Sequence, residues 1–582
     1  MTESQDRQDA VREDAVRAGP PEPHTDAELD AIAEVEVEGL PVSTDAAPRR
    51  SAGPGGRFRS AIDAVLPRRK FGDQRDILGG AGQNVIGLAA GVLTTFATQV
   101  IMTRGLGPAL FGVVTLTTQF AFIASTATRF GMDVANVRLV AILMGRGQSG
   151  RTRPLVRTGA VIAGLISVAV GLGVILLADP LSNAFVSPAL HRQGVVAFVA
   201  AGVAIPFAAL TWVYLGGTRG LKIMRHTLYI FWVGQPLGWI AFAVAGWTVA
   251  KTAGVTAFAY TASWGVACVF AWWAWERETR GFDARTEGGG IPEEHTGALM
   301  KFGALRAPAT LFAQLLFWVD TFVLAAYRSS AEVGVYGATV RTGQSLLLFL
   351  TSLSLVFSPF VADLHYRGEK DKLDALYKNV TRWGLATTLP ILLALAILPG
   401  TIMRVYGERF VVGASALEIL IIGLIVPVIV GTVGFILIMV GRTGWDLLVY
   451  VASFFVAVGI AVLLAPTYGM RGAAVAEAVT LTLSAFARLM LVKKFVDIWP
   501  FDRWFLRLVP PAFAGAVTMW TVHQVLAGPK WLIDLGGSIG AGTLVYGAVL
   551  IWIGLKPGER NTMLALVRKL LGRTPTGSVP TA

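Results

Sequence analysis

Arg306, Asp320 and Arg341 stand inside runs of apolar residues, where a charge needs a partner, a polar cavity or a ligand. Arg306 and Asp320 are 14 residues apart, which on one straight helix is about 21 Å along the axis and about 40° around it, so the two share a face. Asp320 lies seven residues before Tyr327 and Arg341 seven after Gly334. That places them at similar depth on consecutive antiparallel helices, where an ion pair between them is expected. Such a pair either holds two helices in register or releases its arginine to an anion, for which the planar, permanently charged guanidinium is suited. Arg306 also reads as a side chain that snorkels to the interface, as does Arg129, although Asp133 four residues after Arg129 is a ready partner. Glu418 and Glu477 are expected near helix ends with partial hydration, and Glu477 is the better candidate for coupling a proton or cation. Gln119 and Gln344, with Gln99, Gln314 and Asn84, add hydrogen-bonding capacity that serves either helix contacts or a polar ligand.

Other chemistries find no support. No Lys follows a Gly, so there is no Gly-Lys-Ser/Thr phosphate loop. His24, His191, His226, His295, His365 and His523 are scattered without metal-ligand spacing. Cys268 is the one cysteine, which excludes an intramolecular disulfide. The expected outer loops are short, against a membrane glycosyltransferase or ligase. The reading is of a protein that is not an enzyme and has no resident cofactor, with H+ or Na+ as a coupling ion.

The elements that position these groups are dictated by composition. Of 582 residues, 54% are hydrophobic and 15% charged, with a mean hydropathy of +0.59, whereas soluble domains are about a quarter charged. A membrane helix needs about 20 apolar residues, and residues 77–555 form a near-continuous series of such runs, apolar on every face, which excludes a β-barrel. Fourteen spans are expected, centred near residues 90, 120, 168, 205, 238, 265, 315, 347, 390, 428, 456, 483, 516 and 545. Alternate loops differ in Lys and Arg: one set includes Arg146, Arg151, Arg153 and Arg157, and another loop of that set Arg367, Lys370, Lys372 and Lys378, whereas the opposite set is poor. Basic loops face the cytoplasm, so both termini are expected there, in a plasma-membrane protein. Residues 1–48 carry thirteen acids against Arg7, Arg12 and Arg17, a net of −10, so the rest of a chain of net +12 holds +22. That basicity is a topology signal; no motif for nucleic acid is present.

The chain repeats itself. Phe111-Gly112 is followed seven residues on by Gln119, and Tyr336-Gly337 seven residues on by Gln344. Gly254-Val255-Thr256-Ala257 resembles Gly472-Ala473-Ala474-Val475, and the separations agree, 142 from Gly112 to Gly254 and 135 from Gly337 to Gly472. Two homologous six-span halves are implied, the usual build of alternating-access transporters. The expected organisation is a disordered acidic then basic cytoplasmic tail (1–76), a first lobe (77–276), an inter-lobe loop (277–302), a second lobe (303–494), two added spans (495–555) and a cytoplasmic amphipathic helix with its tail (556–582).

Arg104-Gly105-Leu106-Gly107-Pro108 with Phe111-Gly112, Asp320 followed by Val333-Gly334-Val335-Tyr336, and Tyr468-Gly469 with Gly472-Ala473-Ala474 resemble the polysaccharide and oligosaccharide-lipid flippases (Wzx type) of the multidrug/oligosaccharidyl-lipid/polysaccharide exporter (MOP) superfamily. The resemblance covers residues from about 77 to 494. It implies an all-α polytopic membrane protein whose two six-helix lobes face each other in a V, with two C-terminal helices added. It also implies a polyprenyl diphosphate-linked glycan as cargo, moved from the inner to the outer leaflet. Arg341, Arg306 and Arg129 then become anion contacts, Gln119 and Gln344 meet sugar hydroxyls, and Asp320, with Glu477 and Glu418, serves coupling or gating. Membrane lipids, and glycan-polymerising or export proteins reached through the N-terminal tail, are the implied partners. A multidrug exporter, a lipid II flippase and a non-transporting scaffold of a glycan-synthesis complex are the alternatives.

Overall fold

The computed structural model describes residues 74–282, 293–526, 528, 530–555 and 560, with side chains from residue 90 onward except for some within 293–306 and 348–359. The acidic tail, residues 283–292 of the inter-lobe loop and, apart from residue 560, the expected amphipathic helix at 556–582 lie outside the described residues; residues 293–302 of the expected loop are helical. All described secondary structure is helical: α1 Gln74–Thr128, α2 Met132–Gly145, α3 Thr152–Leu176, α4 Ala178–Phe185, α5 His191–Gly220, a π-helix Thr227–Gly234, α6 Gln235–Trp247 and α7 Ala253–Glu278. Next come α8 Glu293–Leu316, α9 Val319–Tyr327, α10 Ser330–Tyr366, α11 Lys370–Ile397, α12 Pro399–Met403, α13 Ala414–Val430, α14 Val433–Met439, α15 Thr443–Tyr468, α16 Met470–Phe495, α17 Val509–Leu526 and α18 Trp531–Val549. In hydrocarbon every backbone polar group must be satisfied within its own segment, which makes helices the form that long apolar runs adopt.

Each of the fourteen expected centres falls in a helix. The number of spans is counted differently by length and composition: eleven described helices qualify, or twelve if the pair α8–α9, bent by 51°, is one span. Two local features account for the difference. Ala90–Thr128 registers as one segment although it is broken at Gly107, whose φ of 74° and ψ of 174° precede Pro108. Only glycine takes that backbone without strain, and the proline cannot donate to the preceding turn. The other is α10, part of whose side chains lie outside the described set.

Two helix groups pack around two central helices. In the first, α5 touches α1, α2, α3 and α7; in the second, α16 touches α9, α13, α14 and α15. Small residues allow the close approach: a Cβ on Gly216 of α5 would lie 2.3 Å from the Asp133 carbonyl oxygen, and one on Gly423 of α13 would lie 2.3 Å from Cα of Ala478. The groups meet chiefly where α1 crosses α10. A Cβ on Gly112 would sit 1.8 Å from the Ser330 carbonyl oxygen, and one on Gly334 would sit 2.1 Å from that of Pro108. At the same end, the Ser330 backbone N–H donates to Ser187 Oγ (2.8 Å) and the Ser187 N–H to Ser330 Oγ (3.0 Å). Arg104 donates to the carbonyls of Val405 (2.8 Å) and Arg404 (3.4 Å), and Phe111 meets Phe410 edge-on at 6.1 Å. This end of the bundle is closed. The helices α17 and α18 pack on each other and against α11.

Candidate functional site

Inward from that crossing, between the two groups, lies a cavity of about 410 Å³. Helix α1 supplies Thr95, Thr98, Thr118, Gln119 and Phe122; α10 supplies Arg341, Gln344 and Leu347; Gln314, Phe317 and Trp318 come from the α8–α9 bend. The opposite wall is aromatic, with Phe231 and Trp232 on the π-helix, Trp239 on α6, and Tyr260 and Trp264 on α7. These rings are fixed from behind. Trp239 Nε1 donates to the Thr256 carbonyl at 3.0 Å, Tyr260 meets Trp239 edge-on at 4.9 Å, and Gln235 donates to Ser263 Oγ at 3.1 Å.

The charge lining this cavity is Arg341. With the Gln99 amide turned so that its oxygen faces the guanidinium, Arg341 donates to it from Nε at 2.7 Å and from Nη1. Arg341 also lies over the Trp318 ring, 5.2 Å from its centroid. The expected ion pair between Asp320 and Arg341 is not formed. Asp320, buried at the first turn of α9, accepts the Tyr336 hydroxyl at Oδ2 and the Thr321 backbone N–H at Oδ1 (2.9 Å). The expectation counted residues along straight helices. In fact α8 and α9 are bent by 51°, which directs Asp320 into its own helix group, and Arg341 is five residues beyond Tyr336, about 140° around α10. The face shared by Arg306 and Asp320 fails for the same reason, and the Arg306 side chain lies outside the described residues.

Behind the cavity Tyr336 joins two carboxylates: its hydroxyl also lies 3.2 Å from Glu477 Oε2. Gln344 Nε2 donates to Glu477 Oε1 (3.2 Å) and to the Phe317 carbonyl at the bend (3.3 Å). Thus Asp320, Tyr336, Glu477 and Gln344 form one chain of hydrogen bonds that ends on the cavity wall. Glu477 is 4% exposed, which corrects the partial hydration expected for it: it lies on the face of α16 that packs into its helix group, with Ala473, Ala474, Thr480 and Ser484. A phenol has one proton to donate, so the two carboxyl groups share the single Tyr336 hydroxyl hydrogen.

Gln119, Gln344 and Arg341 therefore share the cavity, and Asp320 and Glu477 stand behind it. Arg129 does not line it. It is buried, 3.5 Å from Asp133, bonded to Thr126 Oγ1 at 3.0 Å and over the Trp212 ring at 5.0 Å, so Asp133 and not an interface takes its charge. Glu418 is exposed on the first turns of α13, away from the carboxylate chain. Sequence reasoning missed Tyr336, Trp318 and the aromatic wall. Tyr336 carries a usable signal, since Gln344 eight residues on lies only about 80° around the same helix; the wall does not, since aromatic residues in apolar spans read as core.

Residues 81–365 match the model of a family described as Polysaccharide biosynthesis protein. Over 266 residues the chain is 25% identical to the probable flippase AglR of Haloferax volcanii, a match that takes in 44% of this chain and 54% of that protein. The chain spans about half the length of this curated relative. Among solved structures, the lipid II flippase MurJ in an inward closed conformation aligns with a TM-score of 0.62 at 15% identity, covering 84% of this chain and 99% of that one. An inward-facing multidrug resistance MATE family transporter of the MOP superfamily aligns with a TM-score of 0.62 at 15% identity, covering 69% of this chain and 94% of that one. These relatives carry the names of flippases and transporters. The chain is a multi-pass helical membrane protein with the fold of MOP-superfamily transporters, and residues 81–365 match the polysaccharide biosynthesis protein family model.

Proposed function

We propose that this protein flips a polyprenyl diphosphate-linked glycan from the inner to the outer leaflet of the plasma membrane by alternating access. Moving a diphosphate and many hydroxyls through hydrocarbon without a shielded path is prohibitive, and a polar cavity between two movable helix groups removes that cost. The observation that carries the reading is the composition of the cavity: one guanidinium, Arg341, among the amides of Gln119, Gln314 and Gln344, facing a wall of indole and phenol rings. Guanidinium suits phosphate, amides exchange hydrogen bonds with hydroxyls, and aromatic faces with a polar tip suit a ligand that is apolar on one side and wet on the other. In this reading the closed end holding Ser187, Ser330 and Arg104 is the outer one, both termini are cytoplasmic, and the lipid tail stays in the bilayer. Arg341 leaves Gln99 for the diphosphate as the cargo enters.

The chain Asp320–Tyr336–Glu477–Gln344 supplies the coupling element. Exchange of a proton or Na+ at the two carboxylates changes the hydrogen bonds of Gln344 and hence of the cavity wall. The same carboxylates favour a second reading, a cation-coupled multidrug exporter. A lipid II flippase would present the same diphosphate and sugar chemistry.

The test is mass spectrometry of polyprenyl-linked lipids from cells depleted of the protein and rescued by wild type or by Arg341→Ala. Accumulation of one lipid-linked oligosaccharide, relieved by wild type and not by the variant, is expected. Its identity separates lipid II from other glycans. An unchanged profile in a strain without a redundant flippase sinks the reading in favour of drug export, and full rescue by Arg341→Ala favours a scaffold.

A further inference from the structure

A second chamber, of about 620 Å³, opens at the closed end of the bundle between the 397–411 segment and the C-terminal hairpin α17–α18, with Thr401, Arg404, Glu408, His523 and Trp531 in its wall. The volume is in the range of small-molecule sites. None of its side chains belongs to the central cavity or to the carboxylate chain.

The wall is built. His523 Nδ1 lies 2.9 and 3.0 Å from the two carboxylate oxygens of Asp534, which also accept from Thr401 Oγ1 (3.0 Å) and Ser538 Oγ (3.1 Å). An ionised carboxylate only accepts, so Nδ1 carries the hydrogen and Nε2 is the free edge of the ring. Asp534 is 2% exposed and acts as a positioning residue; His523 is the group it presents. Arg404 is met by Glu408 at 3.4 Å, which leaves the wall without the surplus positive charge an anion site needs. Nor is it a metal site: no group of three or more His, Cys, Asp or Glu side chains that could hold an ion occurs among the described residues.

A wall with an Arg–Glu ion pair, an imidazole edge and an indole fits a ligand that is polar around its rim and apolar on a face. A guanidinium that donates beside a carboxylate that accepts matches vicinal hydroxyls, and an indole packs against C–H groups. A sugar ring has that character. The chamber is also wired to the closure between the helix groups: Arg104, which holds the carbonyls of Arg404 and Val405, lies over the Trp531 ring at 5.7 Å.

We propose that this chamber is a second carbohydrate site, which takes an uncharged sugar unit of the cargo at the exit side and reports its presence to the closure through Arg404, Trp531 and Arg104. The source of the sugar rests on the glycan-flippase reading; the sugar chemistry rests on the wall alone.

The test uses the full chain in nanodiscs and saturation-transfer difference NMR with the methyl glycosides of glucose, galactose, mannose and N-acetylglucosamine. At least one glycoside is expected to show transfer, reduced fivefold or more in Glu408→Gln and His523→Phe and retained in Arg341→Ala. Absence of transfer to wild type overturns the proposal, as does undiminished transfer in Glu408→Gln or loss confined to Arg341→Ala. Glu408 is exposed, so its variant remains informative where His523→Phe fails to fold. The lipid profile of depleted cells keeps the two readings apart. Lipid accumulation without glycoside binding overturns the chamber alone, and glycoside binding without accumulation overturns the flippase reading and leaves the chamber.

Discussion

The guanidinium of Arg341 is held by the amide oxygen of Gln99, at 2.7 Å from Nε, so the cation facing the cavity is tied across the boundary between the two helix groups and not within its own. Any movement that separates α1 from α10 frees this arginine, and any anion that takes it loosens the two helices. Arg341→Ala is expected to abolish complementation in the lipid-profile assay. Arg341→Lys, which keeps the charge and loses the planar fork, should lower flipping tenfold or more. Equal activity of Lys and Arg here would show that charge alone suffices.

The crossing at Gly112 and Gly334 makes the closed end sensitive to single methyl groups. A Cβ at Gly334 would meet the Pro108 carbonyl oxygen at 2.1 Å, and overpacking of this kind costs about 1–3 kcal/mol. Gly334→Ala should therefore shift the population toward the opposite state. The measurement is oxidative cross-linking of Ser187→Cys with Ser330→Cys, whose parent residues exchange hydrogen bonds at 2.8 and 3.0 Å. The cross-link should form readily in the otherwise native chain and fall severalfold when Gly334→Ala is added.

Tyr336→Phe removes the hydroxyl that separates Asp320 from Glu477. Two buried carboxyl groups then lose a shared partner, at a cost of about 1–3 kcal/mol. Thermal unfolding in detergent should show a lowered transition. Glu477→Gln, which keeps a donor toward Tyr336, should unfold near the wild-type temperature while transport in proteoliposomes loses its dependence on an imposed H+ or Na+ gradient. Retained gradient dependence in Glu477→Gln would remove Glu477 from coupling.

Arg129 and Asp133 form a buried pair at 3.5 Å. Breaking such a pair leaves an uncompensated charge and costs about 3–5 kcal/mol, whereas replacing both partners with apolar side chains is often neutral. Asp133→Leu alone should be strongly destabilised, and Arg129→Met with Asp133→Leu should recover most of the loss in the same unfolding assay. A double variant no better than the single one would assign Arg129 an anion to bind.

Asp497, beyond the last turn of α16, accepts from Lys370 at 2.6 Å and from Lys493. These lysines hold its carboxyl down to about 2, from an ordinary 3.8. A lowered folded value means the tie is fully present above the ordinary value and lost only as pH falls from about 4 toward 2. Between pH 5 and 8 the unfolding temperatures of wild type and Asp497→Asn should run parallel, and a divergence in that window would refute the assignment.

Much of the architecture was legible because burial in lipid leaves the chain little choice: apolar runs must be helices, and their charged interruptions must mark partners or cavities. Arg341, Gln119 and Gln344 were named as cargo contacts by the resemblance, and Asp320 and Glu477 were named for coupling without being linked to each other. Their meeting through Tyr336 was not legible, because it depends on a bend at Phe317 and Trp318 that no glycine or proline announces at that point. His523 and Asp534 were missed for a different reason. They are 11 residues apart on two helices of a hairpin, and only the packing of α17 on α18 makes them neighbours.

The π-helix Thr227–Gly234 delivers Phe231 and Trp232 to the cavity wall. Such a turn is one residue wider than its α-helical counterpart, so gaining or losing a single residue there rotates the chain before it by about 100° relative to α6. One codon inserted or deleted in this stretch would exchange the rings presented to the cavity while the helices on either side keep their own hydrogen bonds. The lining of the cavity can thus change by a single residue while the helix framework around it stays as it is.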